Sequence, residues 1–147
     1  REKDSPDSAE PLYTLQIASK LSNTSVYSIR QYVDKGLIIP FTTAKNRHLF
    51  SNIDIVRLNS IRKNLHELGL NVAGIKALYS LIPCWKIKGC SVEAREKCSA
   101  YLSSTQPCWE ASDKNSECIN TNCRTCKVYE IPEKYQDLKY LFRKLIQ

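Results

Sequence analysis

Apolar positions recur at helical spacing near the start of the chain and predict two short helices. Thr14 is a good N-cap residue for the first helix, which is expected to end near Asn23. Ser25 can cap the second helix, and Gly36 supplies its C-terminal stop. The apolar positions of the two helices are Ile17, Ala18, Leu21, Val26, Ile29, Tyr32 and Val33. Two short helices joined by a tight turn make a helix-turn-helix candidate.

A polar, basic loop separates two short apolar runs after the second helix. The runs are Leu37-Ile38-Ile39-Pro40 and Leu49-Phe50, and they predict two short strands. Lys45, Asn46 and Arg47 lie in the loop between them. The pattern therefore predicts a wing, which is a β-hairpin beside the helix-turn-helix.

Two further helices complete this part of the chain. Ser51 caps the longer one and Asn71 caps the other. The apolar positions expected to face the core are Ile55, Leu58, Ile61, Leu65 and Leu68 in the third helix and Val72, Ile75, Leu78 and Tyr79 in the fourth. Arg57, Arg62 and Lys63 are expected to stay in solvent on the opposite face.

These features resemble, in order and spacing, the DNA-binding domain of MerR-type regulators. The segments that carry the resemblance are Tyr13-Thr14-Leu15, Arg30-Gln31-Tyr32, Lys35-Gly36-Leu37-Ile38, Phe50-Ser51 and Leu68-Gly69-Leu70. The resemblance implies a winged helix-turn-helix over residues 12–82 that binds double-stranded promoter DNA as a homodimer. It also implies a role with RNA polymerase, at a promoter whose overlong spacer is distorted on binding.

The second helix and the wing hold the candidates for DNA contact. Small polar and aromatic side chains suit base edges, whereas basic side chains and a helix N-terminus suit phosphates. The candidates for base contact are Ser25, Tyr27, Ser28 and Gln31. The candidates for phosphate contact are Thr14, Arg30, Lys35, Lys45, Arg47 and His48. Tyr32 is expected in the core, and for Tyr27 both a core position and a base contact stay open.

Composition and charge are consistent with a soluble DNA-binding protein. The chain has 147 residues, of which 42% are hydrophobic and 25% charged, and its formal net charge is +7. Residues 12–82 carry nine basic and three acidic side chains, which favours an anionic partner. Residues 1–11 carry two basic and four acidic side chains and are expected to form a solvated tail. Without an apolar export segment or a membrane span, the protein is expected in the cytoplasm.

All seven cysteines lie between Cys84 and Cys126. The motif Pro83-Cys84-Trp85 recurs as Pro107-Cys108-Trp109, and each copy ends in Cys-x2-Tyr. A cysteine-rich module of two related halves is therefore predicted over residues 83–131. It follows the fourth helix at the place where the MerR-type family has a long dimerisation helix, so the resemblance does not say how a dimer forms.

The cysteine spacing favours a metal centre over casual core usage. Cys118-x4-Cys123-x2-Cys126 is the spacing that, with one more cysteine, holds an iron–sulfur cluster in plant-type ferredoxins. Cys108 is the nearest candidate for the fourth ligand, and Cys84, Cys90 and Cys98 are further candidates. A [2Fe–2S] or [4Fe–4S] cluster that senses redox state or iron is the first hypothesis. Structural or sensed zinc, another thiophilic metal, and disulfide or bare thiol switching stay open.

The remaining sequence adds a helix and argues against an enzyme. Residues 132–147 carry Pro132 in a first turn and then Tyr135, Leu138, Leu141, Phe142 and Leu145, and they predict an amphipathic helix for packing or dimerisation. Catalysis is not expected, because the two histidines, His48 and His66, precede every cysteine and no glycine-rich phosphate loop is present. The predicted fold is mainly α throughout.

Overall fold

The computed structural model describes residues 9–134 and 138–146, and its fold is mainly helical, as predicted. The α-helices in this part of the chain are α1 (Leu15–Ser22), α2 (Val26–Asp34), α3 (Asn52–His66), α4 (Val72–Ser80), α5 (Cys84–Lys88), α6 (Val92–Glu96), α7 (Ser99–Leu102), α8 (Lys127–Lys134) and α9 (Leu138–Ile146). Strands β1 (Phe41–Thr42) and β2 (His48–Leu49) form one antiparallel sheet, and Cys108–Glu110 and Cys123–Thr125 form 3-10 helices. Among the described residues, no helix has the length and apolar character needed to cross a membrane.

The chain divides into two compact units, Arg1–Lys63 and Asn64–Gln147. The division falls within α3, ahead of the boundary predicted after residue 82. The reason is that α4 packs on the cysteine-rich segment, where Tyr79 contacts Trp109.

The N-terminal unit begins with the two capped helices that the sequence predicts. The Thr14 hydroxyl accepts a hydrogen bond from the Ile17 amide, and the Ser25 hydroxyl accepts one from the Ser28 amide. Asn23 ends α1 in the left-handed conformation. The core of this unit consists of Ala18, Ile29, Tyr32, Leu37, Ile38, Phe50, Ile53, Leu58 and Ile61.

Two predictions for the ends of this unit need correction. Ala9 is buried, so the expectation of a solvated tail is wrong at this residue, because its methyl group gains free energy from leaving water. The first strand of the wing is Phe41–Thr42, and not Leu37-Ile38-Ile39. Leu37 and Ile38 are instead fully buried core residues, which removes them from the exposed hairpin.

Helix α3 begins with a reciprocal pair of hydrogen bonds. The Ser51 hydroxyl accepts from the Asp54 amide at 3.2 Å, and the Asp54 carboxylate accepts from the Ser51 amide at 2.9 Å. Arg57 was expected in solvent but is fully buried, because its guanidinium donates to the Leu37 carbonyl at 3.4 Å. Leu68 was expected in the core but lies beyond the end of α3 and is 61% exposed.

The C-terminal unit contains α4, the cysteine-rich segment and the last helices. Asn71 caps α4 as predicted, since its side chain accepts from the Gly74 amide at 2.7 Å. Three short helices, α5 to α7, follow where the sequence predicts only a cysteine-rich module. The buried residues of this unit include Ile75, Tyr79, Ile82, Cys98, Ala100, Trp109, Val128 and Tyr129.

The C-terminal helix predicted over residues 132–147 differs from the observed one. Helix α8 already begins at Lys127, so Pro132 lies inside it and not in its first turn. The earlier start follows from the burial of Val128 and Tyr129, which pack into the unit. Helix α9 covers Leu138–Ile146, and the predicted apolar position Tyr135 lies outside the described residues.

Candidate functional site

All seven cysteines line one cavity in the C-terminal unit. The structure thus brings together the first-choice ligands and the further candidates, Cys84, Cys90, Cys98, Cys108, Cys118, Cys123 and Cys126. Cys98 is buried, and the other six are half-buried. Lys88, Arg95 and Lys114 also line the cavity, and no Asp or Glu occurs among its described lining residues. Positive charge therefore surrounds a set of soft sulfur ligands.

The cysteines of the two Pro-Cys-Trp motifs contact each other. The Cys108 thiol hydrogen-bonds to Cys84, and this bond lowers the pKa of the Cys84 thiol to about 7. The same bond, with burial, raises the pKa of Cys108 far above its ordinary value. Of the two thiols, Cys84 therefore loses its proton the more readily.

Polar side chains near the cavity hydrogen-bond two more sulfur atoms. The Lys114 ammonium donates to Cys123 Sγ at 3.2 Å. The Asn115 amide donates to Cys90 Sγ at 3.7 Å. Burial and the nearby Glu117 carboxylate raise the pKa of Cys90, although the Asn115 bond acts against them. Burial likewise raises the pKa of Cys118, against the charge of Lys88.

Within residues 9–134 and 138–146, no three His, Cys, Asp or Glu side chains form a group close enough to hold one metal ion. A tetrahedral zinc ion with Zn–S bonds of about 2.3 Å needs sulfur atoms about 3.8 Å apart. A cluster spreads its cysteine ligands over more than one iron and accepts a wider set. The cavity supplies seven thiols, which are donors that zinc and an iron–sulfur cluster both accept.

The two halves of the cysteine-rich segment each contain the same aromatic pair. Trp85 lies edge-on to Tyr101, with ring centroids 4.9 Å apart and planes at 85°. Trp109 lies edge-on to Tyr129, with centroids 5.2 Å apart and planes at 83°. The repeated Pro-Cys-Trp and Cys-x2-Tyr signals therefore correspond to a repeated structural contact.

A groove in the N-terminal unit brings together phosphate-binding candidates from three elements. Thr14 at the start of α1, Arg30 from α2, and Arg47 and His48 from the wing line it. Asp34 also lines the groove and reduces its positive charge. The wing tip is a tight turn in which Asn46 has a φ of 61°. Free amide groups at the start of α1 and two arginines suit a phosphate group.

The remaining DNA-contact candidates lie at the surface of the same unit. Tyr27 is 72% exposed, which decides against a core position, whereas Tyr32 is buried as predicted. The Ser25 hydroxyl donates to the Ser28 hydroxyl at 2.9 Å, so both lie at the start of α2. Lys35 and Lys45 are exposed, and Gln31 is half-buried.

Residues 13–81 match the family model described as MerR HTH family regulatory protein. These residues form a MerR-family helix-turn-helix domain. Similar proteins include the HTH-type transcriptional regulator GlnR of Bacillus anthracis and of Bacillus cereus, each 42% identical over 66 residues, or 45% of this chain and 50% of the relative. The putative heat shock protein HspR of Streptomyces coelicolor is 34% identical over 71 residues, or 48% of this chain and 47% of the relative. The chain spans about half the length of the curated relatives it matches.

The MerR-family match ends before the first cysteine, yet its last helix contacts the cysteine-rich module. The Tyr79 and Trp109 rings lie 5.7 Å apart at 50°, and Lys76 Nζ lies 3.7 Å from a Glu110 carboxylate oxygen. Trp109 and Glu110 follow Cys108 directly in the chain. The MerR-type helix α4 is thereby tied to the peptide that carries a candidate ligand.

Some functional side chains carry no signal in the MerR-type pattern or in the cysteine spacing. Lys114 and Asn115 donate to sulfur atoms, but a residue that only hydrogen-bonds a thiol has no motif spacing of its own. The Glu117 carboxylate raises the pKa of Cys90, and it too belongs to no motif that would identify it in the sequence. Lys114 lies four residues from Cys118, the nearest cysteine in the sequence, so its contact with Cys123 appears only in the folded chain.

Proposed function

We propose that this chain is a DNA-binding transcription regulator of MerR type whose cysteine module binds an iron–sulfur cluster and senses redox state or iron. The observation that carries the sensor part is the single cavity lined by all seven cysteines and three basic side chains. Iron–sulfur clusters with four thiolate ligands are anions, and basic side chains stabilise an anion in a partly buried site. The four first-choice ligands, Cys108, Cys118, Cys123 and Cys126, all line this cavity, as do the three further candidates.

A zinc-binding scaffold is the alternative for this module. It has the same thiolate preference and would need no redox role. The C-x4-C-x2-C spacing of Cys118, Cys123 and Cys126 supports the cluster instead. When bound, the cluster would supply reversible one-electron chemistry, and the chain would supply thiolates, positive charge and shelter from water.

The DNA-binding part of the proposal is supported by the family and by the groove. Thr14, Arg30 and Arg47 line one concave surface, and Tyr27 is exposed on the same unit. The MerR-type resemblance further implies that the chain acts as a homodimer on promoter DNA, together with RNA polymerase. The homodimer and the contact with RNA polymerase are therefore parts of this proposal.

A signal from the cysteine module would reach the DNA-binding part through α4. Cys108 precedes Trp109, whose ring contacts Tyr79 on α4, and Lys76 of the same helix pairs with Glu110. Ligation of Cys108 would restrain this peptide, so loading or oxidation changes the position that α4 prefers. Such a shift can change how the DNA is held.

The first experiment is purification of the whole chain without oxygen, followed by an absorption spectrum and analyses of iron, acid-labile sulfide and zinc. We expect a brown protein with iron and sulfide in near-equal amounts. Reduction and reoxidation should bleach and restore the visible bands. A colourless protein that carries zinc would contradict cluster sensing and leave a zinc scaffold.

The second experiment tests DNA binding independently of the metal. A duplex selected from a random pool by the whole chain serves as the probe, and a scrambled duplex is the reference. Arg30→Ala is expected to weaken binding to both duplexes about tenfold. The slope of the logarithm of the binding constant against the logarithm of the salt concentration should fall by about one, because one phosphate contact is lost. Arg62→Ala, an exposed arginine of α3 outside the groove, is the matched control. Undiminished binding by Arg30→Ala would contradict the assigned surface.

A further inference from the structure

We propose that the first half of the cysteine-rich module binds a helix of a partner protein, on the surface formed by Trp85, Lys86 and Tyr101. These three residues define the first-half surface. The helix that it fits carries an aromatic side chain and, one turn earlier, a carboxylate. The second half of the module supplies the template for this fit, because α4 of the same chain already occupies the equivalent surface there.

The occupied surface of the second half consists of Trp109, Glu110 and Tyr129. Helix α4 contributes two side chains that are three residues apart and therefore lie on one face of the helix. The Tyr79 ring lies 5.7 Å from the Trp109 ring, and Lys76 Nζ lies 3.7 Å from a Glu110 carboxylate oxygen. In this half Trp109 is 8% exposed and Tyr129 is 1% exposed. The surface thus binds a ring and an opposite charge from one face of a helix.

The first half repeats the aromatic frame of that surface. Trp85 and Trp109 hold the same place in the two Pro-Cys-Trp motifs, and Tyr101 and Tyr129 hold the same place in the two Cys-x2-Tyr motifs. The planes of the two pairs cross at 85° and 83°, with ring centroids 4.9 and 5.2 Å apart. Because the rings have the same arrangement, an aromatic side chain that packs on one pair can pack on the other.

The first-half surface lacks the partner that α4 provides in the second half. Among residues 9–134 and 138–146, Trp85 contacts no ring other than that of Tyr101, and no carboxylate pairs with Lys86. Trp85 and Tyr101 are half-buried, and Lys86 is exposed. Leu102, which follows Tyr101, is 67% exposed and extends the apolar area. The surface is therefore open to another molecule.

The charge of the first-half surface is the reverse of its counterpart's. Lys86 stands in the first Pro-Cys-Trp motif where Glu110 stands in the second. Helix α5 contains Lys88 as a further basic residue and no carboxylate. The Arg95 guanidinium lies 5.7 Å from the centre of the Tyr101 ring and adds a second positive group beside the aromatic pair. Since the second half pairs its carboxylate with a lysine of α4, the first half is complementary to a helix with a carboxylate at that place.

Helix α9 of a second copy of the chain is a poor occupant, although Tyr140 is exposed on it. Leu138–Ile146 contains three basic residues and no carboxylate. Lys144 Nζ lies 5.5 Å from the centre of the Tyr140 ring, so this ring would bring a positive charge toward Lys86. A different protein with an acidic, aromatic helix is the occupant that the charges favour.

The test uses two cross-linked helical peptides and the whole chain, purified without oxygen. Both peptides have the sequence of residues 71–82, and one of them carries Lys76→Glu. A staple between positions 73 and 77 fixes each helix on the side away from Tyr79. Fluorescence anisotropy of the labelled peptides gives their affinities. The Lys76→Glu peptide is expected to bind the wild-type chain about threefold to fivefold more tightly than the unaltered peptide, as for an exposed ion pair.

Lys86→Glu in the chain supplies the matched reversal of charge. In this variant the unaltered peptide is expected to bind more tightly than the Lys76→Glu peptide, because the signs are exchanged on both sides. Arg62→Glu makes the same change in net charge at an exposed arginine outside the C-terminal unit. This control is expected to keep the wild-type preference.

Three results would overturn the inference. The first is that the wild-type chain binds neither peptide or binds both equally. The second is a preference that Lys86→Glu leaves unchanged and Glu110→Lys reverses, which would show that the peptide replaces α4 on the second half. The third is self-association of the wild-type chain, measured by sedimentation, that Lys86→Glu abolishes, because the occupant would then be a second copy.

Discussion

The ring of Tyr79 lies 5.7 Å from the ring of Trp109, the residue that follows Cys108 in the chain. Tyr79 belongs to the last helix of the MerR-family domain, and Cys108 borders the cavity lined by the cysteines. Trp109 also lies edge-on to Tyr129 of α8, so the indole joins two helices. One aromatic side chain thus connects the family domain with the module beside it.

Trp109→Leu should loosen α4 while leaving the other half of the module intact. Loss of two ring contacts and of buried indole volume is expected to cost about 2 kcal/mol or more of unfolding free energy. Amide hydrogen exchange in α4 should become faster, whereas Trp85→Leu, which removes the Tyr101 contact instead, should leave α4 protected. Equal exchange of α4 in the two variants would contradict the assigned connection.

Lys114→Met should lower the reduction potential of a loaded centre. The ammonium donates to Cys123, and removal of a positive donor destabilises the more negative, reduced state. A loss of about 1.4 kcal/mol corresponds to a shift of about 60 mV for one electron, measurable by redox titration of the visible absorption. Lys86→Met removes an exposed lysine that does not line the cavity and is the control. An unchanged potential in a fully loaded Lys114→Met chain would exclude this role.

Tyr27→Ala should reduce sequence discrimination more than overall affinity. The side chain is 72% exposed at the start of α2, where base contacts are expected. The loss should be about 1–3 kcal/mol on the selected duplex and smaller on a scrambled one. Fluorescence anisotropy with both duplexes measures the ratio of the two affinities. An equal loss of affinity for both duplexes would instead indicate a phosphate contact.

Ser51→Ala should destabilise the N-terminal unit by about 1 kcal/mol. The hydroxyl satisfies the Asp54 amide at the start of α3, and both residues are buried, so the lost acceptor is not replaced by water. Urea unfolding of the wild-type chain and the variant measures the change in unfolding free energy. Asn59→Ala on the exposed face of α3 is the control, and it should be neutral or slightly stabilising because alanine is the better helix former.

The features that depend on a few neighbouring residues could be predicted from the sequence. Thr14, Ser25 and Asn71 each cap the helix that follows, because an N-cap bond spans only three residues. The order of helices and wing could likewise be predicted from local periodicity. The first wing strand lies at Phe41–Thr42, later than predicted, because Leu37 and Ile38 are apolar and pack in the core.

Features that depend on distant residues could not be predicted in this way. Burial of Arg57 needs the Leu37 carbonyl, twenty residues away, and the early start of α8 needs a buried place for Tyr129. The same holds for the candidate metal centre. Cysteine counts and the repeated motif predicted a two-part module, but only the folded chain shows which thiol Lys114 approaches.

The contact between Cys84 and Cys108 gives the module the character of a dimer within one chain. In a two-fold symmetric dimer, residues on the axis touch their own copies, and these equivalent cysteines do the same. Positions away from such an axis are free to diverge. When the halves are aligned on their Pro-Cys-Trp motifs, Cys90 of the first half corresponds to Lys114 of the second, so a thiol in one half stands where the other half has an ammonium that donates to Cys123. Duplication followed by unequal specialisation would turn two equal halves into one asymmetric site.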